Sequence, residues 1–98
     1  MSRDEAVQLA RDIALRGETI RAYCQRQGVL ASTVTSRAYR AGVRLGVEVR
    51  RCRVERVLRW KAQSPEIPIS RLALEAGFCV ASHFTRARRR LARWDAAA

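Results

Sequence analysis

The chain has 98 residues, with 20 basic and 9 acidic side chains, so its formal net charge is +11. This length allows one domain, or two very small units sharing a core, and a hydrophobic content of 48% is enough to pack it. There is no apolar run of about 18 residues to span a membrane and the start, MSRDEAVQ, is charged, so we expect a bacterial cytoplasmic protein without a signal peptide or a membrane partner.

Arginine outnumbers lysine nineteen to one. The planar guanidinium fork suits phosphate and guanine, so this bias favours a nucleic-acid partner. A GC-rich genome, which favours arginine codons, is an alternative explanation for much of the ratio but for little of the net charge. The three cysteines, Cys24, Cys52 and Cys79, form no CxxC motif, so we expect no metal, no cofactor and reduced thiols that pack as small apolar residues.

Residues 2–16 are predicted to form the first helix. Ser2 can cap its start, and Gly17 ends it. One face carries an apolar stripe at helical spacing, which predicts core packing: Ala6, Leu9, Ala10, Ile13 and Ala14.

Residues 18–42 show the pattern of a helix-turn-helix. A small residue, Cys24, stands midway along the first helix, Gly28 allows the turn, Val29 is expected to be buried there, and Val34 anchors the next helix. The positions after the turn that we expect to be exposed are polar or cationic: Ser32, Thr33, Thr35, Ser36, Arg37 and Arg40. Such side chains suit close approach to a major groove.

A linker helix is predicted over residues 47–63, after a short loop bracketed by Gly42 and Gly46. Pro65 and Pro68 stop it, because proline cannot continue the helical hydrogen bonds. Its predicted packing residues are Val47, Val54, Val57, Leu58 and Trp60. Five arginines are expected to form a solvated face, some within reach of phosphate: Arg50, Arg51, Arg53, Arg56 and Arg59.

A second helix-turn-helix is predicted from Ile69 to Leu91, broken by Gly77, with Phe78 buried at the turn. Ser70 is a candidate cap for its first helix. The second helix is expected to start after Ser82, with Phe84 and Leu91 facing inward and six candidate DNA contacts facing outward: Ser82, His83, Thr85, Arg86, Arg89 and Arg90. Residues 91–98 are expected to fray, with 96–98 disordered.

The two units align with each other. Residues 20–28 match 69–77 at an offset of 49, and residues 31–35 match 81–85 at an offset of 50, so the second turn has one extra residue. We therefore predict an all-α single DNA-binding domain over 1–98, made of residues 1–46 (first helix and first helix-turn-helix), a linker helix (47–63) and a second helix-turn-helix (68–94).

The second half resembles the DNA-binding domain of AraC/XylS-type regulators. The matching residues are Pro68-Ile69, Leu72-Ala73, Ala76-Gly77-Phe78, Ser82-His83-Phe84 and Arg86, with Arg53, Glu55 and Arg56 in the linker helix. The resemblance implies two helix-turn-helix units, held by a linker helix, in successive major grooves. The first unit and the small size are similar to the Kor repressors of broad-host-range plasmids, which would also explain why these 98 residues include no sensor domain.

We therefore expect a sequence-specific regulator that binds double-stranded operator DNA as a homodimer and represses by occupancy, without a small-molecule ligand. An AraC-type activator lacking a sensor domain and a protein-interaction module such as an anti-activator are the alternatives. A monomer that uses both units on an asymmetric site also stays open. We do not expect an enzyme, since the only histidine, His83, lies among arginines and no GxxxxGK or GxGxxG run is present.

Overall fold

The computed structural model describes residues 1–97, which form six α-helices and no β-strand. The all-α prediction is therefore confirmed. The helices are α1 (Arg3–Arg16), α2 (Ile20–Arg26), α3 (Ala31–Arg40), α4 (Leu45–Gln63), α5 (Ile69–Glu75) and α6 (Ala81–Ala97). Within the described part of the chain, none of the helices combines the length and the apolar character needed to cross a bilayer.

Local sequence signals determine where α1 begins and ends. The Ser2 hydroxyl accepts the amide of Glu5 at 3.1 Å, and the Glu5 carboxylate accepts the amide of Ser2 at 3.2 Å. This reciprocal pair satisfies two amides that have no partner inside the helix. The hydrogen bond that the amide of Ser2 donates to the carboxylate also lowers the pKa of the Glu5 carboxyl, because it favours the charged form. At the other end Gly17 takes a φ of 65°, a conformation that suits glycine.

Helix α4 takes part in two separate cores. The first core combines its N-terminal half with α1, α3 and the loop before α4, and its buried residues are Ala6, Ala10, Ile13, Ala14, Ala38, Val43, Leu45 and Val49. The second core combines its C-terminal half with α5, α6 and the turn between them, and its buried residues are Val54, Val57, Leu72, Ala73, Ala76, Phe78, Phe84, Ala87 and Leu91. Both cores therefore depend on α4. The helices packed around the first core are called here the first half of the molecule, and those packed around the second core are called the second half.

The helix pairs α2–α3 and α5–α6, called here the first and second pairs, turn in the same way. The amide of Val29 donates to Cys24 at 2.9 Å, and the amide of Phe78 donates to Ala73 at 3.1 Å, both spanning five residues. Such a bond, with a glycine of positive φ just before its donor, closes a helix C-terminus efficiently. The turn covers residues 27–30 in the first pair and 76–80 in the second, which confirms the predicted extra residue.

The two turns bury their apolar residue differently. Phe78 is buried and meets the Phe84 ring edge-on, with 5.8 Å between ring centroids. Val29 was also expected to be buried, and this prediction is wrong, since it is 48% exposed and the adjacent Leu30 is 71% exposed. The reason is that the first pair packs on the first core through Ile20 and Tyr23, at the start of α2, so that its turn lies outside the core.

Several predicted boundaries shift because of packing. Helix α4 begins at Leu45, so Gly46 lies inside the helix rather than in a loop, and Leu45 and Val49 join the first core. Leu58, predicted to pack, is 37% exposed. Helix α5 begins directly after Pro68, so Ser70 is within the helix and does not cap it.

The C-terminal segment does not fray within the described residues. Helix α6 continues to Ala97, because α4 holds its last turns through a bidentate ion pair between Arg51 and Asp95, with N–O distances of 2.9 and 3.0 Å. This pair lowers the pKa of the Asp95 carboxyl. The Arg44 guanidinium lies 5.0 Å from the centroid of the Trp94 ring. The predicted disorder at residues 96 and 97 is therefore wrong, and residue 98 lies outside the described range.

Replacing Ile13 with alanine should destabilise the chain strongly, because Ile13 is fully buried in the first core. We expect a loss of about 2–4 kcal/mol in the free energy of unfolding, from lost burial and a residual cavity. Leu15→Ala on the same helix is the matched control, since Leu15 is 63% exposed, and it should change stability by about 0.5 kcal/mol or less. Urea unfolding followed by circular dichroism measures both, and equal losses would contradict this description of the first core.

A hydrogen bond between α1 and α2 should make the stability of the chain depend on pH in the acid range. The Tyr23 hydroxyl donates to the Asp12 carboxylate at 2.7 Å, and this bond lowers the pKa of Asp12 below its ordinary value. The resulting stabilisation is fully present above the unfolded pKa of about 3.9 and is lost as the pH falls through the lower folded pKa. Wild type should therefore exceed Tyr23→Phe in Tm near neutral pH, and the gap should narrow below about pH 3. Thermal melts of both proteins across this range test it, and a gap independent of pH would refute it.

Candidate nucleic-acid interface

The outward face of α3 gathers most of the candidate residues of the first pair. Val34 and Ala38 face the first core, so the intervening positions are left exposed to solvent. Five of them line a shallow depression of about 380 Å³: Ser32, Thr33, Ser36, Arg37 and Arg40. The sixth candidate, Thr35, is exposed but lies outside it. The depression thus presents three hydroxyl groups and two guanidinium groups on one helix face.

The six candidates on α6 are also exposed, but the structure divides them between two faces. Phe84, Ala87 and Leu91 point into the second core. His83, Arg86 and Arg90 lie on the side that faces the rest of the chain, whereas Ser82, Thr85 and Arg89 are not part of that group. Only three of the six predicted contacts on this helix therefore converge on one concave surface.

That concave surface is a cleft of about 400 Å³ between the two halves of the molecule, called here the basic cleft. One wall is α6, the opposite wall is the segment 17–19 that leads into α2, and α4 and the second turn complete it. Its lining residues are Gly17, Glu18, Thr19, Arg50, Arg53, Gly77, Phe78, Cys79, His83, Arg86, Ala87 and Arg90. Four guanidinium groups, from α4 and α6, thus share one cleft.

Arg53 links the two halves across this cleft. Its Nη2 donates to the main-chain carbonyl of Glu18, while its Nε is buried and has no hydrogen-bond partner in the described chain. Burial lowers the pKa of the Arg53 guanidinium, because removal from water disfavours the charged form. The prediction that Arg53 belongs to a solvated face is therefore wrong.

Two of the other linker-helix arginines, Arg51 and Arg56, also depart from the predicted solvated face. Arg51 is held by Asp95 and Glu48, and the Arg56 guanidinium lies 4.5 Å from the centroid of the Trp60 ring. Only Arg50 and Arg59 are exposed. The difference arises because Arg51 has an acidic partner on α6, whereas Arg56 packs along α4 on the ring one turn further on.

The turn of the second pair touches the end of α1 inside the basic cleft. Gly77 has a φ of 102°, and a methyl group placed on it would lie 3.2 Å from the Cα of Gly17 and 3.3 Å from Arg53 Nε. Glycine is needed here for both its conformation and its size. The approach of Gly17 and Gly77, together with the Arg53 bond, joins the end of α1 directly to the second turn and to α4.

Carboxylates do not balance the charge of the basic cleft. Arg50, Arg86 and Arg90 take part in none of the ion pairs or side-chain hydrogen bonds found between residues 1 and 97. The one acid in the lining, Glu18, instead holds Arg26 outside the cleft, at 3.0 and 3.3 Å. The cleft therefore has a strongly positive potential, which is not balanced by the fold.

The three cysteines have three different environments. Cys24 is buried and Cys52 is half-buried, and burial raises the pKa of both thiols, as expected for packing residues. Cys79 is exposed at the edge of the basic cleft, so the prediction that it packs as a small apolar residue is wrong. Within the described range, no three or more Cys, His, Asp or Glu side chains come together as a metal site.

No family model, curated protein or solved structure matches the chain. The resemblance to AraC/XylS-type and Kor-type regulators therefore stays a prediction from the residues quoted for it. The basic cleft and the α3 depression are therefore described from the positions of their residues in this structure alone.

Exchanging Gly77 for alanine should destabilise the chain more than the same exchange at Gly28. Both glycines have positive φ, so each substitution should cost about 1–2 kcal/mol in backbone strain. At Gly28 the added methyl meets nothing within 4 Å, whereas at Gly77 it meets Gly17 and Arg53. Overpacking should add about 1–3 kcal/mol at Gly77. Chemical unfolding of the two variants measures the difference, and equal losses would show that the approach of the two halves is not tight.

Proposed function

We propose that this chain is a sequence-specific double-stranded DNA-binding transcriptional regulator that represses by occupying its operator. The observation that supports this most directly is the outward face of α3. It follows a tight glycine turn and presents three hydroxyls and two guanidiniums in one open depression, on a chain of net charge +11. A major groove admits one α-helix, and these groups match the donors and acceptors on base edges.

In this proposal the two kinds of side chain on α3 have different tasks. Arg37 is suited to guanine, whose two major-groove acceptors match a bidentate guanidinium. Ser32, Thr33 and Ser36 are short, so they allow the helix backbone to approach the base edges closely. Arg40 lies toward the end of the helix, where phosphate contact sets orientation rather than sequence preference. On α6, the equivalent tasks fall to Ser82, His83 and Arg86.

We further propose that one chain uses both pairs in successive major grooves. Each pair packs on α4, and the Arg53 bond and the Gly17–Gly77 approach fix the end of α1, which leads into the first pair, against α4 and the second turn. The longest Cα dimension is 41 Å, which is sufficient for two grooves separated by about 34 Å. The homodimer predicted from the sequence remains a second geometry, and a palindromic operator would indicate it.

Repression by occupancy needs only a stable complex over a promoter. This suits a chain whose described helices pack the two cores and present candidate DNA contacts on α3 and α6.

A protein-interaction module is the second candidate. It is favoured by the exposed apolar residues Val29 and Leu30 at the turn of the first pair. Specific DNA binding distinguishes the two, because a module with a purely protein partner would not select a sequence.

The first test is selection of binding sites from random double-stranded DNA, followed by a footprint on the selected site. We expect a selected sequence, and a slope of log K against log salt near about −5 if about six phosphates are neutralised. Arg37→Ala and Arg86→Ala should each weaken binding by about 1–3 kcal/mol and relax the preference at one position. Arg71→Ala on α5 is the matched control, because it removes the same charge from an exposed residue paired with Glu75.

Each outcome has a distinct meaning. Equal affinity for selected and random DNA would reject sequence-specific regulation. Loss with Arg37→Ala but not with Arg86→Ala would leave the second pair as a structural unit. Two different boxes about one helical turn apart would support a single chain that uses both pairs, and a palindrome would support the homodimer.

A further inference from the structure

The basic cleft holds more positive charge than the packing of the fold requires. Arg53 has a structural bond to Glu18, but Arg50, Arg86 and Arg90 contact neither a carboxylate nor a carbonyl acceptor within the described chain. Like charges that share a cleft repel one another, and this repulsion opposes folding unless an anion enters. An anionic ligand at this position would remove the repulsion.

Elsewhere in the described chain, several acids pair with arginines. Asp12 pairs with Arg16, Glu18 with Arg26, Asp95 with Arg51 and Glu75 with Arg71. None of these pairs includes Arg50, Arg86 or Arg90, and these three unpaired arginines line the same concave site. Their chemistry suits the phosphate group, whose oxygens accept from the planar guanidinium fork.

The position of the cleft indicates which phosphate would enter. One wall carries His83 and Arg86, which the proposed function assigns to DNA contact, and the other leads from Thr19 into the first pair. A duplex that contacts α3 with one major groove and α6 with the next must present the sugar-phosphate backbone between them. In that arrangement the backbone segment would pass the basic cleft, which lies between α6 and the segment 17–19 that leads into the first pair.

We infer that the basic cleft binds backbone phosphates of the DNA segment between the two boxes, and that Arg50 of the linker helix is a phosphate-contacting residue. This inference rests on the proposed function. It assigns to α4 a direct contact with DNA in addition to its packing role. Arg50 is the informative residue, because it is exposed, has no partner in the fold and lies on neither of the two helices proposed to read bases.

The test compares Arg50→Gln with Arg59→Gln on the selected site. Arg59 is also exposed on α4, but it stands nine residues further on, about two and a half turns, and therefore on the opposite face. Both variants lose one positive charge, and neither loses an ion pair found in the structure. Arg50→Gln should make the salt slope shallower by about 0.9, which is about an eightfold loss of affinity at 0.1 M salt, while Arg59→Gln should stay near wild type.

A second arm locates the phosphates. Replacing the phosphates between the two boxes with uncharged methylphosphonates should weaken wild type and Arg59→Gln by about tenfold. The same replacement should weaken Arg50→Gln less than wild type, because one of the phosphate contacts is already lost. Circular dichroism melts of all three proteins check that they are folded to the same extent.

A third arm tests a free anion as the source of the phosphate. Thermal melts with inorganic tripolyphosphate, without DNA, report on anion binding to the cleft alone. If tripolyphosphate stabilises wild type more than Arg50→Gln while the two bind DNA equally, the cleft takes a free anion and the inference is overturned. Equal losses of DNA affinity in Arg50→Gln and Arg59→Gln, or equal effects of methylphosphonates on all proteins, would also overturn it. Failure of the proposed function is a separate result, namely wild type that does not distinguish the selected site from random DNA.

Discussion

Helix α4 buries opposite ends of its length in two different cores, and the positions of the other five helices depend on this. Leu45 and Val49 pack with α1 and α3, while Val54 and Val57 pack with α5 and α6. Because a helix is stiff over this length, the two halves cannot rotate independently about it without unpacking one core. The orientation of α3 relative to α6 is therefore set by how each half packs on α4.

Two further contacts, both in the basic cleft, also help to fix how the two halves are oriented. Arg53 reaches from α4 to the carbonyl of Glu18, and Gly77 lies against Gly17. Both contacts use the end of α1 as their anchor, and a capping pair at Ser2 and Glu5 secures the other end of that helix. The distance between the two candidate interaction faces thus depends on small residues and main-chain groups, which tolerate little change in size.

The distribution of charge follows from the same packing. The acids that pair with arginine tie α1 to itself, the 17–19 segment to α2, α4 to α6 and α5 to itself, and none balances the guanidinium groups in the cleft. Three arginines without an acidic partner, Arg50, Arg86 and Arg90, are therefore grouped where the two halves meet. In the function proposed here, this concentration lies opposite the DNA backbone, where a positive potential strengthens binding without specifying sequence.

Much of the helical framework was predictable, because the signals for it are local. Ser2 and Gly17 mark the ends of α1, two prolines separate α4 from α5, and glycines mark both turns. The internal alignment predicted the extra residue of the second turn, since equivalent turns need equivalent residues. The exposure of all twelve candidate contact residues was predictable too, because helical spacing places them opposite Val34, Ala38, Phe84 and Leu91.

The remaining features depend on contacts between distant segments, which spacing along one helix does not encode. Val29 and Phe78 occupy equivalent turn positions, yet only Phe78 has a core within reach. Arg53 and Arg59 both seemed solvated, yet only Arg53 faces the end of α1. The sequence by itself therefore determined the number and order of the helices, the caps of α1 and the polar faces of α3 and α6. Only the tertiary structure decided which polar residues meet in the basic cleft, because the packing of both halves on α4 brings them together.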